Sequence, residues 1–143
     1  MPYEFLEDVA IADIAFRSWA KDLEGVFIES GNALTNVMVE DLESIEAREE
    51  RAVRAENDAL DMLLFDFLGQ LIYFKDAEKL LLRALEVKVI QRDGRFALDA
   101  RLAGEPIDVT RHRLRVDVKA VTLHQFRLEK TDDEWQAFVI LDI

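Results

Sequence analysis

The chain has 143 residues, half of them hydrophobic and 34% charged, with 30 acidic against 18 basic side chains and a formal net charge of -12 at pH 7. A chain of this size buries roughly two thirds of its unfolded surface in one core, so a single domain spanning residues 1–143 is expected. The charge argues against strong direct binding to nucleic acid or to a membrane, because both rest on Lys and Arg neutralising phosphates, whereas a basic partner or a cation suits it.

Cysteine is absent, which removes disulfides, thiolate metal sites and thiol nucleophiles. The opening Met-Pro-Tyr-Glu-Phe-Leu-Glu-Asp is acidic where a secretory signal needs a basic region and an apolar run. No apolar stretch approaches the ~20 residues that cross a bilayer. A reducing, cytoplasmic setting is the expectation.

In chain order, Ile14 to Ala20 alternates as a half-buried strand, and Asp22 is placed to cap a helix whose apolar residues run from Leu23 to Met38. Charged residues from Glu40 to Glu56 predict a loop and then an exposed edge strand near Arg51 to Ala55. Asn57 or Asp58 can cap a second helix, whose wide stripe of Leu60, Leu63, Leu64, Phe67, Leu68, Leu71 and Ile72 predicts the better buried of the two. Beyond Lys79 the period becomes two. Leu81, Leu85, Val87 and Val89 lead to Asp93-Gly94, a hairpin signal, and the return strand carries Phe96 to Leu102. A loop over Gly104 to Arg113 follows, then a strand from Val116 to Leu128, a turn at Thr131 to Glu134, and a last strand from Trp135 to Ile143. That strand is apolar on both faces and belongs in the centre of a sheet, so the C-terminus is expected within the fold. The fold class read from this order is α+β, two helices packed on one mixed, mostly antiparallel sheet.

The five glycines form no phosphate-binding loop, the serines lie in no nucleophile elbow, and two histidines leave little for a zinc site or a hydrolytic triad. An independent enzyme is therefore disfavoured. His124, beside Leu123, reads either as a partly buried histidine bonded to backbone or as a proton donor or ligand. His112 stands in the most basic stretch, with Arg111, Arg113, Arg115 and Lys119, which reads as a solvated face or as a small patch for a phosphate or an acidic partner surface. Asp13 puts a charge directly before a buried strand, as a turn residue, a cap or a ligand. Asp142 lies beside the α-carboxylate of Ile143. Two anions so close repel unless water or a hard cation such as calcium or magnesium intervenes, and spacing alone leaves both open.

At these residues the chain resembles the archease family, small proteins that assist the RtcB-type RNA ligase joining tRNA halves. The likeness rests on Tyr3-Glu4-Phe5-Leu6-Glu7, on Ala12-Asp13-Ile14 with Arg17 and Trp19, and on Lys21-Asp22-Leu23-Glu24. Near the other end it rests on Asp117 to His124, Trp135 and Val139 to Ile143. The resemblance implies a strand-helix-strand-strand module and a divalent-cation site, with calcium bound by Asp13, Asp142 and the main-chain carboxylate of Ile143. It also implies a non-catalytic role in tRNA splicing, promoting guanylylation and multiple turnover of the ligase. Lys119 and His124 are second-tier site candidates. So is Asp8, because Asp8 to Ala12 and Ala15 lack the histidine and glycine of the family's His-Thr-Ala-Asp-Ile-Gly. Leu123 stands where a tyrosine is common. The alternative is an acidic adaptor or chaperone-like module for an RNA-modifying enzyme, with no functional metal.

Overall fold

The computed structural model describes residues 2–6 and 13–143. Two helices, α1 (Leu23–Met38) and α2 (Leu60–Glu78), pack with two sheets, so the class is α+β. The larger sheet joins β1 (Tyr3–Leu6), β2 (Asp13–Ala20) and β8 (Trp135–Asp142). On the far edge of β8 it adds two short strands, β6 (Ala120–Val121) and β7 (Arg127–Lys130). The smaller sheet has the order β3 (Glu49–Asn57), β5 (Arg95–Pro106), β4 (Leu80–Arg92). Every pairing in both sheets is antiparallel. The expected single mixed sheet is thus divided in two, and β3-α2-β4-β5 forms the strand-helix-strand-strand module. Among the described residues no helix is long and apolar enough to cross a membrane.

Helix α1 starts where predicted. Asp22 is extended, and its Oδ1 accepts the Gly25 amide at 2.7 Å, satisfying an orphan donor of the first turn. The second start differs from expectation: Ala59 is the cap residue and supplies no side-chain bond, while Asn57 Oδ1 accepts the Ala59 amide at 3.1 Å. The relative burial of the helices is also the reverse of expectation. Both helices contact both sheets, but α1 buries even Ser30, Thr35 and Asn36, whereas α2 leaves Tyr73 55% exposed. A wide apolar stripe does not by itself set how much of a helix is covered. Phe27 of α1 and Phe67 of α2 meet at the centre, with ring centroids 5.9 Å apart, and the buried Ser18 and Ser30 hydroxyls join β2 to α1 at 2.7 Å.

The β4-β5 hairpin turns at Asp93 (φ 54) and Gly94 (φ 77), the two positive angles a tight two-residue turn needs. A bulge between Ala84 and Glu86 interrupts the period of β4 and turns Leu85 out, 49% exposed, away from the face assigned to it. Strand β5 runs on to Pro106, past the expected loop start at Gly104. A Cβ at Gly104 would lie 1.8 Å from the Leu81 carbonyl oxygen, so the glycine marks a close backbone approach inside the strand. The long strand expected from Val116 to Leu128 is instead an irregular segment that pairs with β8 only at Ala120–Val121 and from Arg127. Its alternation reflects residues packing singly under a loop, such as the fully buried Val118.

Candidate cation site at the end of the central strand

Strand β8 is central as expected, with β2 on one side and β6 and β7 on the other. In its register with β2, Asp13 is the direct partner of Asp142, and Ala120 partners Asp142 from the opposite side. Directly opposed residues share a face of the sheet, and like charges there are destabilising. Among the described residues, neither aspartate forms an ion pair with a Lys, Arg or His. Asp13 is half-buried and Asp142 exposed. Ile14 and Ile143 pack partly buried against the core, which fixes the chain on either side of the pair.

The donors gathered here are hard oxygens, the chemistry that suits calcium or magnesium and suits soft metals poorly. Among the described residues no group of three His, Cys, Asp or Glu side chains is placed to hold a metal. The predicted set therefore depends on two side-chain carboxylates and a main-chain one at Ile143. Asp8 lies outside the described residues.

The second-tier candidates divide. Lys119 adjoins the site through its backbone, its amide donating to the Asp142 carbonyl at 2.8 Å, and its side chain is exposed. His124 is exposed in the turn between β6 and β7, where Gln125 takes φ 54 and its side-chain Nε2 lies 3.4 Å from His124 Nε2. The expectation of a partly buried, backbone-bonded histidine is thereby corrected: the turn carries the ring away from the sheet.

His112 is corrected in the other direction. It is 2% exposed, inside a network centred on Glu105, itself 1% exposed. Glu105 accepts the Glu46 amide at 2.6 Å and His112 Nε2 at 3.1 Å, and it pairs with the Arg111 guanidinium. The Asp108 amide donates to His112 Nδ1 at 2.9 Å, which leaves the ring neutral with its proton on Nε2. Burial alone would favour the protonated acid at Glu105. The Glu46, His112 and Arg111 donors outweigh that and hold its pKa below the usual carboxylate value. Arginine-rich composition hid a structural knot holding the segment after β5.

A residue the sequence reading passed over is Lys75, 5% exposed near the end of α2. Its Nζ donates to Asp117 Oδ1 at 2.6 Å and to the Val118 carbonyl at 2.8 Å, and lies 2.5 Å from Asp76. The signal was present, because Leu68, Leu71, Ile72 and Lys75 continue one helical stripe, and a lysine on an apolar stripe needs a partner.

Fold and site together define a small acidic α+β protein with paired carboxylates at one end of its larger sheet. The chain matches the archease protein family (MTH1598/TM1083) over residues 3–143, and it belongs to that family. It is 34% identical to the protein archease of Methanopyrus kandleri over 143 residues, all of both chains. It is 35% identical to that of Pyrococcus abyssi over 133 residues, 92% of this chain and 93% of the relative. Among solved structures, the solution structure of Methanobacterium thermoautotrophicum protein 1598 superposes with a TM-score of 0.86 at 34% identity, covering 99% of each chain. An archease of Thermotoga maritima, described as a possible chaperone, shares the fold at a TM-score of 0.56 and 17% identity, covering 92% of this chain and 91% of that one.

Proposed function

We propose that this chain is a non-catalytic activator of an RtcB-type RNA ligase in tRNA splicing, promoting GTP-dependent guanylylation of the ligase and its repeated turnover. Asp13, Asp142 and the main-chain carboxylate of Ile143 would hold a divalent cation, calcium, at the end of β8. The observation that carries this reading is the cross-strand pairing of Asp13 with Asp142 in a member of the archease family. A bound divalent ion supplies positive charge around which phosphate oxygens can be organised. The residues of this chain do the rest. β2 and β8 fix the spacing of the carboxylates, and the net charge of -12 favours a basic ligase surface while disfavouring tRNA itself. Cytoplasmic residence accords with that partner.

The test is GTP-dependent guanylylation of the cognate ligase with and without this protein, using wild type, Asp13→Ala, Asp142→Ala and a chain lengthened past Ile143. Stimulation by wild type alone is expected. Undiminished stimulation by both folded aspartate variants would refute the carboxylate site.

A second reading, an acidic adaptor or chaperone-like module without a functional metal, is favoured by one observation: no third ligating side chain joins the pair among the described residues. Stimulation that survives chelation of divalent ions would select it.

A further inference from the structure

We infer that Lys75 is a positioning residue for the Asp142–Ile143 end of β8, acting through the single peptide group that joins Val118 to Lys119. This deepens the carboxylate reading above and rests on it for its purpose, though not for its geometry.

The Lys75 ammonium donates to the Val118 carbonyl at 2.8 Å, and the Lys119 amide donates to the Asp142 carbonyl at 2.8 Å. Those two polar groups belong to one planar trans peptide, in which C=O and N–H point in opposite directions. An unbroken line thus runs from the ammonium, through one peptide, to the carbonyl of the peptide linking Asp142 to Ile143. A cation at the carbonyl end polarises the peptide and strengthens the bond its N–H donates.

The line is anchored at both ends. Lys75 is 5% exposed and also held by Asp117 at 2.6 Å and Asp76 at 2.5 Å, while Val118 is fully buried. These carboxylates keep the ammonium charged despite its burial, raising its pKa above the ordinary lysine value. On the next turn of the pairing, the Thr122 amide and hydroxyl both donate to the Ile140 carbonyl at 3.0 Å. Strand β7 pairs with β8 only from Trp135 to Phe138, so without the Lys75 anchor the far edge at the Asp142 end would be held by the two-residue β6 and the Thr122 bonds, leaving Asp142 and Ile143 freer to fray from Asp13.

The experiment uses the full chain with calcium alone as probe. Lys75→Met matches the stem through Cε and removes the ammonium. Expected are Lys119 amide exchange faster by about tenfold, a lower backbone order parameter at Ile143, and calcium affinity weakened by about tenfold, the loss of one charge-assisted hydrogen bond. Lys119→Pro deletes the second bond of the line, from the Lys119 amide to the Asp142 carbonyl, and should reproduce the disorder at Ile143. If Lys75→Met fails to fold, Lys75→Gln, which keeps a neutral donor but removes the charge, takes its place with the same readouts and the same direction of change. A folded variant of either kind that keeps Ile143 ordered and calcium affinity at the wild-type value overturns the inference. If wild type binds no calcium, the carboxylate reading fails by itself, and the order parameters still decide whether Lys75 positions the terminus.

Discussion

Asp13 and Asp142 sit directly across from one another in the β2-β8 pairing, two carboxylates on one face of the sheet. Without a counter-ion such a pair is destabilising. Asp142→Asn should therefore raise the unfolding temperature of the chelator-treated protein slightly and abolish any rise on adding calcium. Thermal unfolding with and without calcium checks both. A variant less stable than wild type in chelator would show that the pair is not repulsive.

Stability should fall on acidification because of Glu105. Its pKa is lowered in the folded protein from an ordinary value of 4.5, so its contribution is fully present above that value and disappears as pH drops through the lower folded value. Asp108, held low by the Thr110 hydroxyl and amide, acts in the same sense. Glu105→Gln should lose about 1–3 kcal/mol at neutral pH, since it gives up charged acceptors to buried donors, and should flatten the acid limb. Urea unfolding between pH 3 and 7 measures both effects. An acid limb of wild-type steepness in the variant would place the transition elsewhere.

Much of the architecture was legible because local chemistry and tertiary packing agree there. Asp22 caps α1, Asp93-Gly94 turns the hairpin, and the doubly apolar β8 is central. The failures fall where a contact distant in sequence decides. Arg111 and His112 fold back onto the nearby Glu105, but what buries that carboxylate includes the Glu46 amide, 59 residues away, and Leu85 leaves the core at a bulge set by pairing with β5. The division into two sheets is equally non-local, since strands of both alternate in the same way. At the site, the sequence marked Asp13 and Asp142 as anomalous charges and resemblance joined them. The lysine that braces their strand went unseen because the two partners that tie it there, Asp117 and Val118, lie more than forty residues away.

Gly104→Ala is expected to be among the most damaging single-methyl additions in the chain. The new Cβ would stand 1.8 Å from the Leu81 carbonyl oxygen and 2.9 Å from the Leu82 Cα, backbone atoms that cannot rotate aside. Separating β4 from β5, the central strand of the smaller sheet, should cost about 3 kcal/mol or more, beyond the usual range for overpacking. Gly69→Ala meets nothing within 4 Å and, lying within a helix, should be neutral or stabilising. Equal denaturation midpoints for the two variants would contradict the close approach.

The outer edge of β4 makes the last case, because an unpaired strand edge invites another chain. Here α1 supplies the missing partners from its side chains. Glu24 Oε2 accepts the Val89 amide at 2.9 Å, Asn32 Oδ1 accepts the Ala84 amide at 3.1 Å, and Thr35 donates its hydroxyl to the Leu82 carbonyl at 2.8 Å. The three residues follow one face of the helix, so one element both buries its apolar stripe and closes the edge. Asn32→Ala leaves the Ala84 amide unpaired and should cost about 1–3 kcal/mol, whereas Glu24→Gln keeps an acceptor and should cost less. The double variant Glu24→Ala with Asn32→Ala should in addition associate through the opened edge, read as a rise in scattering with concentration under native conditions. If its scattering and its stability match those of wild type, the helix does not protect that edge.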